Sequence, residues 1–311
     1  MDRQATRVAP TRAALVAELS ERVGSSREAS WIVEHAESGA DEREPWVEAV
    51  AVAARGLADR RAGGEPLQYV LGHWPFREID LIVDRRVLVP RPETEQLVEV
   101  ALGELRRTVG RSADRGDRIC VDLGTGSGAI ALSLATEADD ITGALEVWAT
   151  DRSVDALAVA RANLSKLASS NGAGADGARA DGGRAPVRLA TGWWFEALPE
   201  ALAGSVDLIA SNPPYVAENE FDALDATVRE WEPFEALVAG SGSDGTPGFA
   251  EIEAIVRTAP DWLREAGSLV VELAPHQAEA AVAMARLSGF TDATVARDLA
   301  GLERILVARC T

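Results

Sequence analysis

The stretch RICVDLGTGSGAIALSLATE, Arg118–Glu137, decides the fold. Its first six residues are a mostly apolar run typical of a buried strand, and its last nine have the composition of a helix. Between them lie Gly124, Gly126 and Gly128. Glycine permits positive φ and lets a ligand approach the backbone closely, and a helix offers free N–H groups at its start. The stretch therefore predicts a strand, a turn able to hold a ligand, and a helix.

The same alternation of strand and helix continues to the end of the chain. Apolar strands that alternate with helices indicate a mostly parallel sheet covered on both faces, so the predicted fold class is α/β. The further predicted strands are 145–151, 187–191, 206–212, 267–274, 294–298 and 303–309, and the further predicted helices are 154–168 and 277–289.

The first sixty residues have a helical pattern without a chemical motif. Leu15 and Leu19 recur at a spacing of four, Ser25 and Glu28 have the spacing of a capping box, and the pattern stops at glycines 63–64. This region predicts a small helical bundle, which serves either as a structural cap or in partner recognition.

A junction follows the helical region. Alternating apolar residues from Ile79 to Val89 predict a short hairpin, and residues 93–109 predict a helix. The predicted division is 1–75 for a helical bundle that recognises a substrate protein, 76–115 for a hairpin and linker helix, and 116–311 for the α/β domain.

Composition excludes several classes of protein. Of 311 residues 47% are hydrophobic, and the formal net charge of −19 disfavours a nonspecific nucleic-acid surface. Cys120 and Cys310 have no disulfide or metal spacing, so we expect a reducing cytoplasm and no metal. No apolar run is long enough for a membrane span. Residues 169–186 are rich in glycine and alanine and predict a flexible surface insertion without function.

An acidic residue completes the glycine turn. Asp151 ends the next predicted strand, 23 residues after Gly128, and so lies beside the same crevice, where a carboxylate accepts from a ribose diol. The spacing is G-x-G-x-G, which differs from the G-x-G-x-x-G of dinucleotide sites. The turn therefore favours an adenosine that bears an amino acid over a pyrophosphate.

A second unusual turn is LIASNPPYVAE, residues 208–218. Pro213 and Pro214 cannot donate to a sheet ladder and end the strand, and the residue before a proline, Asn212, is restricted to extended backbone. The turn is therefore rigid. Together with the glycine turn, it predicts a site in which two hydrogen-bond acceptors have fixed positions.

These motifs resemble a known family. VDLGTGSGAIALSLA followed by ATD is similar to the first two motifs of class I S-adenosylmethionine-dependent methyltransferases, which have a Rossmann-like, mostly parallel seven-stranded sheet. SNPPY is similar to the signature of those that methylate a planar amino group. EPLQYVLG, VLVPRPETEQLVE and EWEPFEALVAG narrow the resemblance to the HemK/PrmC family, the glutamine-N5 methyltransferases of peptide chain release factors. The resemblance spans roughly residues 60–311.

The resemblance implies roles for particular residues. The Asn212 side-chain oxygen and the Pro213 carbonyl would accept the two N–H groups of the substrate amide, Pro214 would stiffen the turn, and Tyr215 would cover the amide face. Trp193 stands where the family has an acidic residue that contacts adenine, which leaves that partner open, and Trp194 is alternatively a core residue. The implied residues that bind S-adenosylmethionine are Gly124, Thr125, Gly126, Ser127, Gly128, Asp151, Trp194 and Asn212.

The implied substrate is the glutamine of the Gly-Gly-Gln motif of release factors. A ribosomal-protein glutamine, an exocyclic amine of a nucleic-acid base and a noncatalytic S-adenosylmethionine-binding scaffold are the alternatives. The acidic balance favours a protein partner, with no direct nucleic-acid binding and no membrane; no pattern indicates an oligomeric state. We expect structural roles for His35, His73 and His276 and a solvated charge at Glu272. Arg91, Glu93 and Thr94 lie where the junction would cover the cofactor, but the chemistry of a helix start explains the acidic residues equally well.

Overall fold

The fold is described from a computed structural model of the chain. It describes residues 10–40, 46–111, 117–138, 144–170 and 185–311, so most of the predicted insertion at 169–186 lies outside the described residues. The helices are α1 (Arg12–Val23), α2 (Ser26–Ser38), α3 (Trp46–Ala62), α4 (Leu67–Leu71), α5 (Pro92–Arg111), α6 (Ala129–Glu137), α7 (Val154–Ser170), α8 (Ala226–Arg229), α9 (Phe234–Leu237), α10 (Ala250–Trp262) and α11 (Ala278–Leu287). The strands are β1 (His73–Phe76), β2 (Ile79–Ile82), β3 (Arg118–Leu123), β4 (Leu145–Asp151), β5 (Val187–Thr191), β6 (Val206–Ser211), β7 (Val216–Ala217), β8 (Val238–Ala239), β9 (Leu263–Glu272), β10 (Asp292–Arg297) and β11 (Glu303–Arg309).

The described residues form two compact units. One contains the chain up to His73 together with residues 225–231, and the other contains residues 74–224 and 232–311. The described part of the segment predicted as hairpin and linker helix, residues 76–111, lies in the second unit, beside the sheet.

The first unit is built on α1, α2 and α3. Ser25 caps α2, since its side chain accepts from the backbone N–H of Glu28 at 3.3 Å, and α3 ends directly before the two glycines. Leu19, Ile32 and Val33 are fully buried. The helical periodicity of the sequence is thus the periodicity of a packed core.

The second unit is organised by a seven-stranded sheet in the order β10-β11-β9-β6-β3-β4-β5. Neighbouring strands from β9 to β5 are parallel, and β11 runs antiparallel to both β9 and β10. Helices α5, α6, α7, α10 and α11 pack against its strands. The apolar strands Arg118–Leu123 and Val206–Ser211 are buried throughout except at Ile119. The predicted α/β class with a mostly parallel seven-stranded sheet is therefore confirmed.

The order of the strands creates a switch point. The chain runs from β3 to β4 and β5 on one side, and then returns to place β6 on the other side of β3. In open α/β sheets ligands bind outside the carboxyl ends of the strands at such a point. The glycine turn follows β3 and the NPPY turn follows β6, so both leave the sheet there.

The register aligns four strand ends at this edge. Leu123 pairs with Thr150 on β4 and with Ser211 on β6, and Ser211 pairs with Val271 on β9. The next residues along these strands, listed across the sheet, are Asp151, Gly124, Asn212 and Glu272. Sheet pairing alone therefore brings a carboxylate, a glycine turn, an amide and a second carboxylate to one edge.

The predicted hairpin is shifted along the chain. β1 and β2 form a two-stranded sheet, whereas the sequence placed the second arm at Val87 and Val89. The backbone N–H of Val87 instead closes a turn on the Asp84 carbonyl, and that of Val89 donates to the Glu232 carboxylate. Both valines are buried, so their alternation reflects burial without strand pairing.

Candidate active site

A cleft with a cavity volume of about 170 Å³ lies at the carboxyl ends of β3, β4 and β6. A concave site at this edge of an α/β sheet is where small molecules and cofactors bind. Of the residues predicted from the sequence, those that line it are Gly124, Thr125, Gly126, Ser127, Asp151, Trp194, Asn212 and Pro214. Gly128, Pro213 and Tyr215 are not among the residues that line it.

The glycine turn has the backbone that its composition predicts. Gly124, Gly126 and Gly128 have φ of 71°, 55° and 87°. A Cβ at Gly126 would meet no heavy atom within 4 Å, so the turn leaves open space there, while one at Gly128 would lie 3.1 Å from Leu132. Gly126 thus keeps the cleft free, and Gly128 permits close helix packing.

A buried carboxylate holds the turn against the helix that follows. Asp122 Oδ2 accepts from the Thr125 hydroxyl at 2.6 Å and from the Ala131 backbone N–H at 3.0 Å. Burial raises the pKa of Asp122 to about 7, although both hydrogen bonds oppose the rise. Asp122 belongs to the quoted motif, but the sequence analysis assigned it no role.

Asp151 lies beside the turn, as predicted. Its Oδ2 accepts from the Gly126 backbone N–H at 2.9 Å, and its Oδ1 accepts from that of Ser153 at 2.8 Å. Burial raises the pKa of Asp151, and these N–H groups oppose the rise. An ionised carboxylate has about four acceptor positions, so capacity is left for the hydroxyl groups of a ligand.

Trp194 forms one wall of the cleft. Its φ is 41°, unusual for a residue with a side chain, and its ring lies so close to Gly124 that a Cβ there would approach Cζ3 to 3.1 Å. Its Nε1–H donates to Glu251 at 2.9 Å. Trp193 is 38% exposed, and the Arg152 guanidinium lies 4.7 Å from its ring centroid. Trp194 therefore packs like a core residue and also lines the site.

The NPPY turn is fixed from behind. Gln277 is buried, and its Nε2 donates to the carbonyl oxygens of Tyr215 at 3.0 Å and Pro247 at 2.9 Å. Gly248 packs so tightly against the turn that a Cβ at this position would lie 2.2 Å from the backbone carbonyl oxygen of Tyr215. The rigidity predicted from two prolines is thus reinforced by contacts with Gln277 and Gly248, which no local sequence pattern predicts.

A polar chain runs behind Asn212. Asn212 Nδ2 donates to Thr94 Oγ1 at 3.0 Å, Thr94 Oγ1 donates to Glu272 Oε2 at 2.7 Å, and the Tyr215 hydroxyl donates to Glu272 Oε1 at 3.1 Å. Glu272 has no exposed surface, so the expectation of a solvated charge was wrong. Each of its two carboxylate oxygens accepts one of these hydrogen bonds, so the buried charge has partners within the protein.

The segments before and after the sheet motifs are joined by another buried carboxylate, that of Glu232. Glu232 accepts from the guanidinium of Arg91 and from the Val89 N–H at 3.1 Å. Burial raises the pKa of Glu232, and Arg91 opposes the rise. The bonds of Arg91 to Glu232 and of Thr94 to Glu272 were not predicted from the sequence. A local signal exists for Glu272, which is a charged residue within an apolar strand, whereas Glu232 lies in a charged segment without such a signal.

Comparison with known proteins identifies the chain's relatives. It is 40% identical over 288 residues to the release factor glutamine methyltransferase of Bordetella pertussis, covering 92% of this chain and 91% of the relative. The chain belongs to the release factor glutamine methyltransferase family. Its members from Rhodopirellula baltica and Salmonella typhimurium are each 37% identical, over 82% of this chain and 77% and 79% of their own lengths. The predicted family resemblance is confirmed.

Other comparisons add little to this membership. No protein-family model matches the chain. A methyltransferase from Pyrococcus furiosus with a solved structure has a TM-score of 0.47 and 17% identity, covering 75% of this chain and 89% of that one, and this likeness carries no functional argument. No helix among the described residues is long and apolar enough to cross a membrane.

Proposed function

We propose that this chain transfers a methyl group from S-adenosylmethionine to the side-chain amide nitrogen of the glutamine in the Gly-Gly-Gln motif of peptide chain release factors. The observation that carries the proposal is the register of the sheet, which brings the glycine turn, Asp151 and Asn212 to one edge, where all three line the same cleft. Family membership at 40% identity over most of both chains supports the same activity.

The residues of the cleft fit this cofactor. The open space beside Gly126 is a cradle that a Cβ would fill, and the free acceptor capacity of Asp151 suits a ribose diol. Ile130 and Trp194 supply apolar surface for a purine. When bound, S-adenosylmethionine supplies an electrophilic methyl group. The glycine turn and Asp151 would bind it, and Trp194 would pack against it.

The NPPY turn acts on the acceptor. An amide nitrogen is a poor nucleophile, because its lone pair is delocalised into the carbonyl group. Asn212 Oδ1 and the Pro213 carbonyl would each accept one N–H of the substrate amide, which orients the nitrogen and leaves its lone pair unengaged. Correct orientation is worth up to ~7–11 kcal/mol of a barrier. No side-chain base is required, because alkylation itself makes the nitrogen acidic.

Tyr215 and the turn behind it keep these acceptors still. Burial raises the pKa of the Tyr215 phenol, with the Glu272 carboxylate adding to the rise, so the hydroxyl keeps its proton and its bond to Glu272. The ring is thereby fixed beside the turn, where it would cover the flat face of the amide.

The direct test is labelling of candidate substrates in parallel. Tritiated S-adenosylmethionine is incubated with this protein and, separately, a release factor, the same factor with its Gly-Gly-Gln glutamine replaced by alanine, ribosomal proteins, RNA and DNA. We expect label on the intact factor alone, and mass spectrometry to place one methyl group on the glutamine side chain. Label on RNA, DNA or a ribosomal protein, with none on the factor, would contradict the proposal.

We propose that the helical unit takes part in recognising the protein substrate. Val52 on α3, an apolar side chain that is 64% exposed, is a candidate contact. Replacing Val52 with aspartate should raise KM for the release factor and leave kcat on a short glutamine peptide unchanged. Equal KM values for wild type and variant would argue against this role.

A further inference from the structure

Glu272 is a buried carboxylate next to the reacting region with no assigned role in the proposed chemistry. It ends β9, at the same level of the sheet as Asn212 on β6. It receives one hydrogen bond from Thr94 and one from Tyr215, at 2.7 and 3.1 Å. Both donors belong to other elements, so Glu272 joins α5, the NPPY turn and the sheet.

The protons in this chain determine which way the Asn212 amide faces. A threonine hydroxyl has one proton to donate and two positions that accept. The Thr94 hydroxyl donates its hydrogen bond to Glu272, so it has only acceptor positions left for Asn212. It accepts a hydrogen bond from Asn212 Nδ2, which lies 3.0 Å from Thr94 Oγ1. Within the described part of the chain no protein group donates to Asn212 Oδ1, and this oxygen is left for a ligand.

We propose that Glu272, acting through Thr94, is a positioning residue that sets the Asn212 amide with its oxygen towards the acceptor nitrogen. This inference rests on the proposed function, in which that oxygen takes an N–H of the substrate. The reverse orientation would present Nδ2–H to the substrate N–H, which places two donors against each other. Asn212 on its own has no preference for one orientation, because its two ends are nearly the same shape.

The orientation of the Asn212 amide depends on whether Glu272 is ionised. Burial raises the pKa of Glu272 to about 7; Thr94, Tyr215 and the positive Arg304 on β11 oppose the rise, and the negative Glu93 on α5 adds to it. Below that pH the protonated carboxyl donates to Thr94, whose own proton is then free to turn towards Asn212 Oδ1. The orienting effect is present above the pKa and is lost as the pH falls through about 7.

The test combines kinetics with a structural readout. Glu272→Gln keeps the shape of the side chain and removes its charge. In part of the variant molecules the Asn212 amide would then face the substrate with its NH₂ group and not with its oxygen. We therefore expect kcat to fall about 10- to 100-fold, with S-adenosylmethionine affinity unchanged. In the wild type we expect kcat to fall between pH 8 and pH 6, as Glu272 becomes protonated, and this fall should disappear in Glu272→Gln. Asp122, whose pKa is also raised to about 7, is present in both proteins and therefore does not account for a difference between them.

Matched variants separate positioning from damage to the fold. Thr94→Val should match Glu272→Gln, Thr94→Ser should retain most activity because it keeps the hydroxyl, and the double variant Thr94→Val/Glu272→Gln should be no worse than either single one. Glu104→Gln removes a buried carboxylate outside the cleft and should leave kcat unchanged. A kcat of Glu272→Gln within about 2-fold of wild type, or an unchanged pH profile, would overturn the proposal.

A nuclear magnetic resonance measurement keeps this inference separate from the proposed function. The side-chain NH₂ signals of Asn212, identified by their loss in Asn212→Asp, should titrate near pH 7 in the wild type and not in Glu272→Gln. Titration in both proteins, or in neither, would overturn the positioning role. If the wild type labels no release factor, the proposed function fails, and this titration still decides the role of Glu272.

Discussion

Replacing Gly126 with alanine tests whether the glycine turn is a cofactor cradle or only a tight connection. Gly126 has φ of 55°, and a Cβ there meets no heavy atom within 4 Å. The left-handed backbone costs a residue with a side chain ~1–2 kcal/mol of folding free energy. The added methyl group enters the open space of the cleft, so we expect it also to weaken S-adenosylmethionine binding at least ~10-fold, about 1.4 kcal/mol.

Gly301→Ala is the matched control. Gly301 also has a positive φ, of 82°, and open space around it, but it lies in the exposed turn between β10 and β11. Urea denaturation should give both variants a similar loss of stability, whereas calorimetry should give a loss of cofactor affinity for Gly126→Ala alone. Equal affinities in the two variants would refute the cradle.

Three further experiments probe the site and the stability of the fold. Asp151→Ala should weaken S-adenosylmethionine binding measured by calorimetry, and unchanged affinity would remove Asp151 from the cofactor site. Trp194→Phe and Glu251→Ala should each lower stability and show a coupling of ~1 kcal/mol in a double-mutant cycle, because one removes the donor and the other the acceptor of the same hydrogen bond; additive losses would mean that the bond contributes nothing. Burial opposes ionisation of Glu104, but hydrogen bonds from Arg309, Arg107 and Ser268 outweigh it and lower its pKa to about 2, so its contribution, ~3 kcal/mol, is present above pH ~4.5 and lost as the pH falls towards 2. Glu104→Gln should show a smaller loss of stability over that range, and an identical acid profile would contradict this.

The sequence predicts the sheet and its ligand edge because both follow from local rules. Glycines between a strand and a helix, and prolines after a strand, restrict the backbone wherever they occur. The position of Asp151 follows from the parallel register, since the carboxyl ends of neighbouring strands meet at one edge. The glycines and prolines reach the cleft for reasons that are visible within a window of a few residues, and Asp151 does so because it ends the strand next to β3.

The support behind the site is not visible in this way. Thr94 and Glu272 are separated by 178 positions, and Gln277 reaches back 62 positions to Tyr215. A threonine near a helix start and a glutamate at a strand end fit ordinary surface roles equally well. Only the packed arrangement makes their hydrogen bonds obligatory, because a buried polar group without a partner is costly.

The shifted hairpin has a related cause. Burial alternates from Val87 to Val89 as it does in a strand, but Val89 bonds to Glu232, 143 positions away. Periodicity in the sequence reports which side chains are buried. It does not report which partners the backbone finds, and the two differ where a distant carboxylate takes the N–H.

The most direct test of the account is methyl transfer by Asn212→Ala, measured together with its S-adenosylmethionine affinity. The account predicts that affinity stays within about 2-fold of wild type while kcat on the release-factor glutamine falls by at least about 100-fold, because the acceptor amide loses one of its two fixed oxygens. Near-wild-type turnover in this variant would contradict the claim that the NPPY turn holds the reacting nitrogen.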